Sequence, residues 1–588
     1  MFNNPIFIRE ALTSPRQIRH YLIRSGYVAA VFILIFTAGQ TILGTQQIQT
    51  TTIGEFARLG NLIFQMISFL QLLLVMFFTL LFSAGSIAQE KDRGTLILLL
   101  MTELKDRELV SGKTQSSLLI VYVLLAASVP VCIFLHLLGG VELAQILWME
   151  LICLITVYAT GSWAALVAFW REKTFQTLAI SVLGMVVFLG VVELLVGLVG
   201  PASAIRPWIA GLNPFRALYE ILNPLSLNTG LSPISVSAWP SLISLAVLGI
   251  ALRVFTVFRL RVWNPSRSVY KATPKAEKEG EAQAELQPVI VKEKSRAIWS
   301  NPVIWREIMT KAYGRKVFVI KLAYFLLAGF LLWSATSSEA AAEGMLYLGV
   351  IPPQGLAFAG IAWLSLVLAN TQAVTSITSE KDSKTLELLL VTDISAKEFV
   401  LGKLGGIFYN SKELIVVPVL ILCYLVAQGA FSVEGFLCAL IGFLALMIFS
   451  IVLGLHMGLT YDNSRSAIGG SLGTMFFLFI GIGIFMILLV QARSSFALQL
   501  QSFLVFIVVG SAALHSALTH RNPSRALAIS AWLLPFLTFY AITSFLLGGT
   551  LGVLVTILFA YGLPVLSMYI PAVSEFDVAL GKTTYDKG

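Results

Sequence analysis

Residues 90–113 read EKDRGTLILLLMTELKDRELVSGK, and residues 380–403 read EKDSKTLELLLVTDISAKEFVLGK. The offset is a constant 290 without a gap, and 13 of the 24 aligned positions are identical, so the chain carries an internal repeat. Upstream, NPIFIRE (4–10) returns as NPVIWRE (301–307), each copy ahead of a basic stretch and a long apolar run. Between the copies lies one long hydrophilic segment, residues 264–298, whose KATPKAEKEGEAQAELQ lacks apolar periodicity and reads as a disordered linker. The expected organisation is a first repeat over 1–263, the linker over 264–298 and a second repeat over 299–588.

Composition sets the class. The 588 residues are 57% hydrophobic and 12% charged, with a mean hydropathy of +0.86. Soluble domains carry roughly 25% charged residues, so this chain cannot coat a globule of its size. Apolar runs of bilayer-spanning length recur throughout. The reading is an all-α polytopic membrane protein. The formal charge of +9 fits basic cytoplasmic loops; no basic patch interleaved with aromatics suggests a nucleic-acid partner. Cys132, Cys153, Cys423 and Cys438 all fall inside apolar runs, with no CxxC or Cys/His cluster to hold a metal. No short basic head leads directly into an apolar core at the N-terminus, so no cleaved signal peptide is expected.

First-repeat spans are expected near 26–44, 62–87, 116–138, 144–169, 177–199 and 239–258. With the N-terminus inside, thirteen Arg and Lys residues fall on inner segments against three (Arg58, Arg206, Arg216) on outer ones. Six spans return the chain to the cytoplasm, so the halves are parallel rather than inverted repeats. The second half repeats the scheme near 317–336, 355–378, 412–429, 436–459 and 467–490, then adds runs near 498–518, 526–546 and 549–570. The expectation is two parallel six-span-type bundles and about 14 transmembrane helices (6 + 8). The count becomes 12 if an extra C-terminal pair within 498–546 re-enters.

Gly112-Lys113-Thr114 resembles the end of a nucleotide-binding loop. That loop needs a first glycine to begin its phosphate cradle, and the position holds Arg107; the second copy has Leu404 in place of the hydroxyl residue. ATP hydrolysis by this motif is excluded. On a helix, Leu96, Leu99 and Leu100 share a face, and Glu103 and Arg107 form an i,i+4 pair. Such a short amphipathic helix lies on the lipid surface with a solvated face, or docks into a partner's groove. Its retention at one place in both halves favours docking.

The pattern E-[KR]-x-x-G-T-L-x-L-L-L-x-T after the second span, followed by E-x-V-x-G-K, resembles the permease of type-2 ATP-binding cassette (ABC) exporters. The resemblance implies a membrane permease whose motif region meets separate ATPase subunits, two in number, which supply ATP and Mg; this chain itself holds no cofactor. The coupling residues it implies are Glu90, Lys91, Asp92, Gly94, Thr95, Leu96 and Gly112, and Glu380, Lys381, Asp382, Thr385, Leu386 and Gly402. The copies depart differently: Ile97 stands where Glu387 keeps the commoner acid, and Lys384 replaces the motif glycine. The NP-x-x-x-RE segments resemble the family's connecting helix, with Asn4, Pro5, Arg9 and Glu10 in one and Asn301, Pro302, Arg306 and Glu307 in the other. Asn suits the N-cap and Pro the first helical position. The short outer loops and the N-terminus fit a bacterial cytoplasmic membrane, with both termini inside.

Two other classes stay open. An integral-membrane enzyme needs ionisable groups converging in or near the membrane. Glu150 and Glu193 lie in predicted spans without counterparts in the other half; they are candidates for a substrate path or for buried hydrogen-bonded structure. His136 and His456 belong to no ligand spacing. A scaffold or signalling protein would keep the docking helices without a path. The outer segment 200–238, rich in Pro, Gly and aromatics, suits short interfacial helices or an ordered loop.

Overall fold

The computed structural model describes residues 4–13, 18–43, 53–200, 203–223, 233–264, 301–309, 317–337, 346, 351–386, 394–492, 496–520 and 524–574. The linker expected over 264–298 lies outside them apart from Asn264, as do Glu387 and the rest of 387–393. Every element among the described residues is a helix. The first repeat comprises α1 (Pro5–Thr13), α2 (Ile18–Leu43), α3 (Ile53–Asp92), α4 (Thr95–Leu100), α5 (Asp106–Leu138), α6 (Leu143–Trp170), α7 (Thr174–Leu198), α8 (Arg206–Ala210), α9 (Pro214–Leu222) and α10 (Pro233–Trp263). The second comprises α11 (Pro302–Met309), α12 (Val317–Thr336), α13 (Pro353–Asp382), α14 (Ala396–Asn410), α15 (Lys412–Ala427), α16 (Val433–Thr460), α17 (Ser464–Ala492), α18 (Phe496–Leu518), α19 (Arg525–Leu546) and α20 (Leu551–Ser574).

Among the described residues, 13 helices are long and apolar enough to cross a bilayer, and the α14–α15 pair, bent by 51°, makes a fourteenth. The chain is therefore a polytopic all-α membrane protein. The expected span 412–429 is only the second limb of that bent pair. Its counterpart α5 runs unbroken over 33 residues. At the break, Ser411 is buried and its hydroxyl donates to Gln372 Oε1 at 2.8 Å. Beyond it Lys412 lies exposed over the Tyr409 ring, and the partly buried Glu413 pairs with Lys321 on α12 at 2.6 Å. The alternative of a re-entrant pair lay within 498–546; there α18 and α19, at 23 and 22 residues, are each long enough to span, as the count of 14 expects.

In each repeat the second span lies along the fourth, α3 along α6 and α13 along α16. Small residues permit the close approach: a Cβ on Gly454 would come 2.7 Å from Ala373 Cβ and 2.8 Å from the Asn370 carbonyl. Buried polar groups pair there. Asn370 donates to the Ser450 carbonyl at 2.8 Å and accepts from Ser471 at 2.8 Å, tying α13, α16 and α17 together. The last spans also correspond, because α20 packs along α16 as α10 packs along α6. The added pair is α18 and α19, inserted before the last span, and α18 packs back against α2 of the first repeat.

The fifth spans cross between repeats: α7 packs on α12 and α13, and α17 packs on α2 and α3. At the centre Phe77 stacks on Phe476 with ring centroids 4.8 Å apart, and Trp363 leans on Phe476 at 6.4 Å. Such aromatic pairs add roughly 0.5–1.5 kcal/mol each beyond simple burial.

Candidate functional site

The two motif copies fold into the same clamp at one end of the bundle. Lys91, in the last turn of α3, donates to the carbonyls of Phe169 and Arg171 at 2.5 and 2.9 Å. Lys381 does the same to Leu459 and Tyr461 at 2.6 and 3.1 Å. Both sets are terminal carbonyls of the fourth span, which lack intrahelical partners and attract positive charge. The next acid reaches the following helix: Asp92 accepts from Thr174 Oγ1 at the start of α7, and Asp382 from Ser464 Oγ at the start of α17. All these partners keep the 290-residue offset. Each Lys-Asp pair thus fixes the end of the second span to the turn between the fourth and fifth.

A left-handed turn follows. Gly94 has φ +71°, and Lys384, its counterpart, has φ +57°. Glycine adopts this conformation freely while a side chain opposes it, which is why the motif holds glycine and why Lys384 is the exception. Thr95 Oγ1 then donates back to the Glu90 carbonyl at 3.2 Å, as Thr385 does to Glu380 at 3.4 Å. In α4, Leu96 and Leu100 are buried in a cluster with Ile87, Leu109, Val110 and Phe169. Leu98 and Met101 point the other way and are 65% and 68% exposed. The short helix is amphipathic as expected, yet it ends at Leu100 and a turn separates it from α5 at Asp106. The expected Glu103–Arg107 helical pair is therefore absent; Asp106 instead takes Arg261 of α10 through both carboxylate oxygens at 2.9 Å.

The connecting helices dock on the same construction. Asn4 Oδ1 accepts from the Ile6 N–H at 3.1 Å, capping α1, while its Nδ2 donates to the Glu108 carbonyl at 2.6 Å. Asn301 caps α11 through Val303 and Ile304 and donates to the Glu398 carbonyl at 2.8 Å. Pro5 and Pro302 open the two helices, as the N-cap reading expects. The motif glycines explain the close seat: a Cβ at Gly112 would lie 2.5 Å from Asn4 Oδ1, and one at Gly402 would lie 2.6 Å from Val303 Cβ.

Beneath the connecting helices the copies diverge. Lys403 is 1% exposed, held by Glu307 at 2.7 Å and Glu380 at 2.8 Å, and Arg306 adds a second ion pair to Glu380. In the first repeat Lys113 pairs with Glu90 alone, while Arg9 and Glu10 meet each other at 3.7 Å near the surface. Gly112-Lys113-Thr114 lies inside α5, with Thr114 Oγ1 bonded back to the Val110 carbonyl at 2.7 Å. Across the repeats Arg93 reaches Asp382 and Asn463, both at 3.1 Å. The contacts of Arg93, Thr174 and Ser464 were not read from the sequence; following the constant offset past Lys113 would have paired Thr174 with Ser464.

Glu150 and Glu193 stand apart from the clamp and from each other. Glu150 accepts from Ser128 at 2.7 Å and Gln71 at 3.1 Å. Glu193 takes Asn213 at 2.7 Å and Arg216 at 3.2 Å, anchoring the short helix α9. On α9, burial raises the Glu220 carboxyl above its ordinary value, opposed by the Arg216 charge. His136 and His456 bond to the Val141 and Leu518 carbonyls at 2.7 and 2.9 Å. Among the described residues no His/Cys/Asp/Glu group could hold a metal ion. Residues 17–258 match the family described as ABC-2 family transporter protein. Among curated proteins and solved structures, nothing matches the chain.

Proposed function

We propose, from a first repeat that belongs to the ABC-2 transporter family, that the whole chain is the permease of an ATP-driven exporter with both permease halves in one polypeptide. Two separate ATPase subunits would bind ATP and Mg and dock on the paired clamps, one at each motif copy. The observation that carries this reading is the clamp itself: its buried side is fixed to three spans, while Leu98 and Met101 face outward beside it. Exposed apolar side chains on a short, rigidly held helix suit a groove in a partner. Closure of the ATPase pair on ATP would then shift the spans through differential docking to two states of the bundle. Both termini and the clamps would lie in the cytoplasm of a bacterial cell, with cargo moving outward. Glu150, between Gln71 and Ser128, and Glu193, behind α9, are proposed as fixed acids beside the path.

The test is affinity purification of the tagged chain from its native membrane, with ATPase assay of what accompanies it. An ATPase should co-purify with the wild type and be lost, with the chain still folded, on changing Leu98→Glu and Met101→Glu together. Co-purification unaffected by these exposed changes overturns the docking role.

A further inference from the structure

Arg253 is a charge without a counter-charge. It stands on α10, inside the span expected over 239–258 and about 8 Å of helix from that span's clamp-side end. Among the described residues no carboxylate pairs with it. Its neighbours are neutral. Gly249, one turn earlier, lets the Tyr158 ring of α6 lie against α10: a Cβ there would come 2.7 Å from Tyr158 Cδ1. The guanidinium carbon lies 4.6 Å from the centroid of that ring, a cation–π contact. Gln115 of α5, its amide oxygen turned to the guanidinium, accepts from both terminal nitrogens at 3.3 and 3.2 Å. Tyr122, also on α5, lies within electrostatic reach. A guanidinium carries five N–H donors, so Gln115 leaves one on each terminal nitrogen and the buried Nε–H, which has no acceptor.

The second repeat shows that this seam does not need the cation. Its last span, α20, carries no charged residue, and at the 290-residue offset Gln115, Tyr122 and Tyr158 become Gly405, Lys412 and Ile448. Lys412 lies exposed over Tyr409, outside any such arrangement. Even so, α20 packs along α16 as α10 does along α6. A cation within a span is costly unless an anion or polar groups meet it, and the surroundings show where an anion would come from. Val247, Ile250 and Val254, spaced i, i+3, i+7 on one face of α10, are exposed beside Arg253, as on a face turned to lipid. On the clamp side of this strip Trp170 and Trp263 lie 6.5 Å apart, aromatics of the kind that mark a membrane–water boundary. Arg253 therefore sits just inside the clamp-side leaflet, half-buried among Gln115, Tyr122 and Tyr158.

We propose that the seam of α5, α6 and α10 holds a phospholipid with a net negative head, its phosphate oxygens on the Arg253 fork and an acyl chain along Val247, Ile250 and Val254. A guanidinium pairs with phosphate through two parallel hydrogen bonds, and basic pockets between spans suit anionic headgroups. The site needs neither ATPase nor cargo, so it stands apart from the permease reading. Full-length protein in neutral detergent is titrated with dioleoyl phosphatidylglycerol, with dioleoyl phosphatidylcholine and with inorganic phosphate, and bound lipid is counted by native mass spectrometry. The first phosphatidylglycerol should bind about fivefold more tightly than the first phosphatidylcholine; equal affinities overturn the proposal. Arg253→Gln should abolish that preference, while Arg259→Gln, at an exposed cation two turns on, should leave most of it. A preference unmoved by the first change, or lost equally with the second, means diffuse surface charge rather than a site. Inorganic phosphate should not displace the lipid; displacement would assign Arg253 to a soluble anion and overturn the lipid. Should Arg253→Gln fold poorly, Arg253→Lys keeps the charge without the fork and should still narrow the preference, and an unchanged ratio there counts against the proposal.

Discussion

Lys384 and Gly94 hold the same left-handed turn with opposite suitability for it. A side chain in that conformation costs roughly 1–2 kcal/mol, so Lys384→Gly should raise the thermal unfolding midpoint of the protein in nanodiscs, and Gly94→Lys should lower it. A midpoint that stays put in both variants would mean the turn relaxes. The lysines beneath the connecting helices differ more. Lys403 is buried between Glu307 and Glu380; Lys403→Met leaves both carboxylates to the single, more accessible Arg306, and breaking such a buried pair costs up to about 3–5 kcal/mol. The same change at Lys113, 19% exposed and paired with Glu90 alone, should cost less, about 1–3 kcal/mol, because one carboxylate rather than two loses its buried partner. Comparable losses in the two variants, by denaturation in matched lipid, would contradict the asymmetry. At this scale the sequence was informative where partners are near in the chain, as with Asn4 and Asn301 capping their own helices. It was silent on Lys91, whose carbonyl partners lie about 80 residues away.

Among elements, the connecting helices depend on the flatness of their seats. Gly402→Val would drive a side chain into Val303, so α11 should lift and lose amide protection. Hydrogen exchange over residues 302–309 should quicken at least tenfold, while that over α16 stays slow; unchanged exchange over 302–309 would show that α11 is held elsewhere. The spans themselves were legible because a bilayer demands about 20 apolar residues whatever their neighbours. Breaks are not imposed in that way. At the α14–α15 bend Ser411 and Glu413 meet Gln372 and Lys321 of other helices, partners that no local signal reveals. The end of α4 at Leu100 was missed because Glu103 and Arg107 suit a longer helix; Asp106 instead opens α5 and pairs with Arg261 on α10.

For the whole molecule, the repeat announced two bundles, and the crossing of α7 and α17 shows how they are joined. Arg93 of one repeat and Asp382 of the other close that join at the clamp end, with side chains 43% and 2% exposed. Because Arg93 is well solvated, a double-mutant cycle with Arg93→Gln and Asp382→Asn should return a coupling of about 1 kcal/mol or less in stability. A coupling indistinguishable from zero would make the contact incidental. The unlike faces of α7 and α17 have a consequence for ancestry. Two copies of the first repeat alone would bring two Phe175 faces to the join, and two copies of the second would bring two faces carrying Gly469, Gly470 and Gly473. Fusion into a single gene product guarantees that every molecule inherits one face of each kind, so the asymmetry cannot be lost by random pairing of subunits.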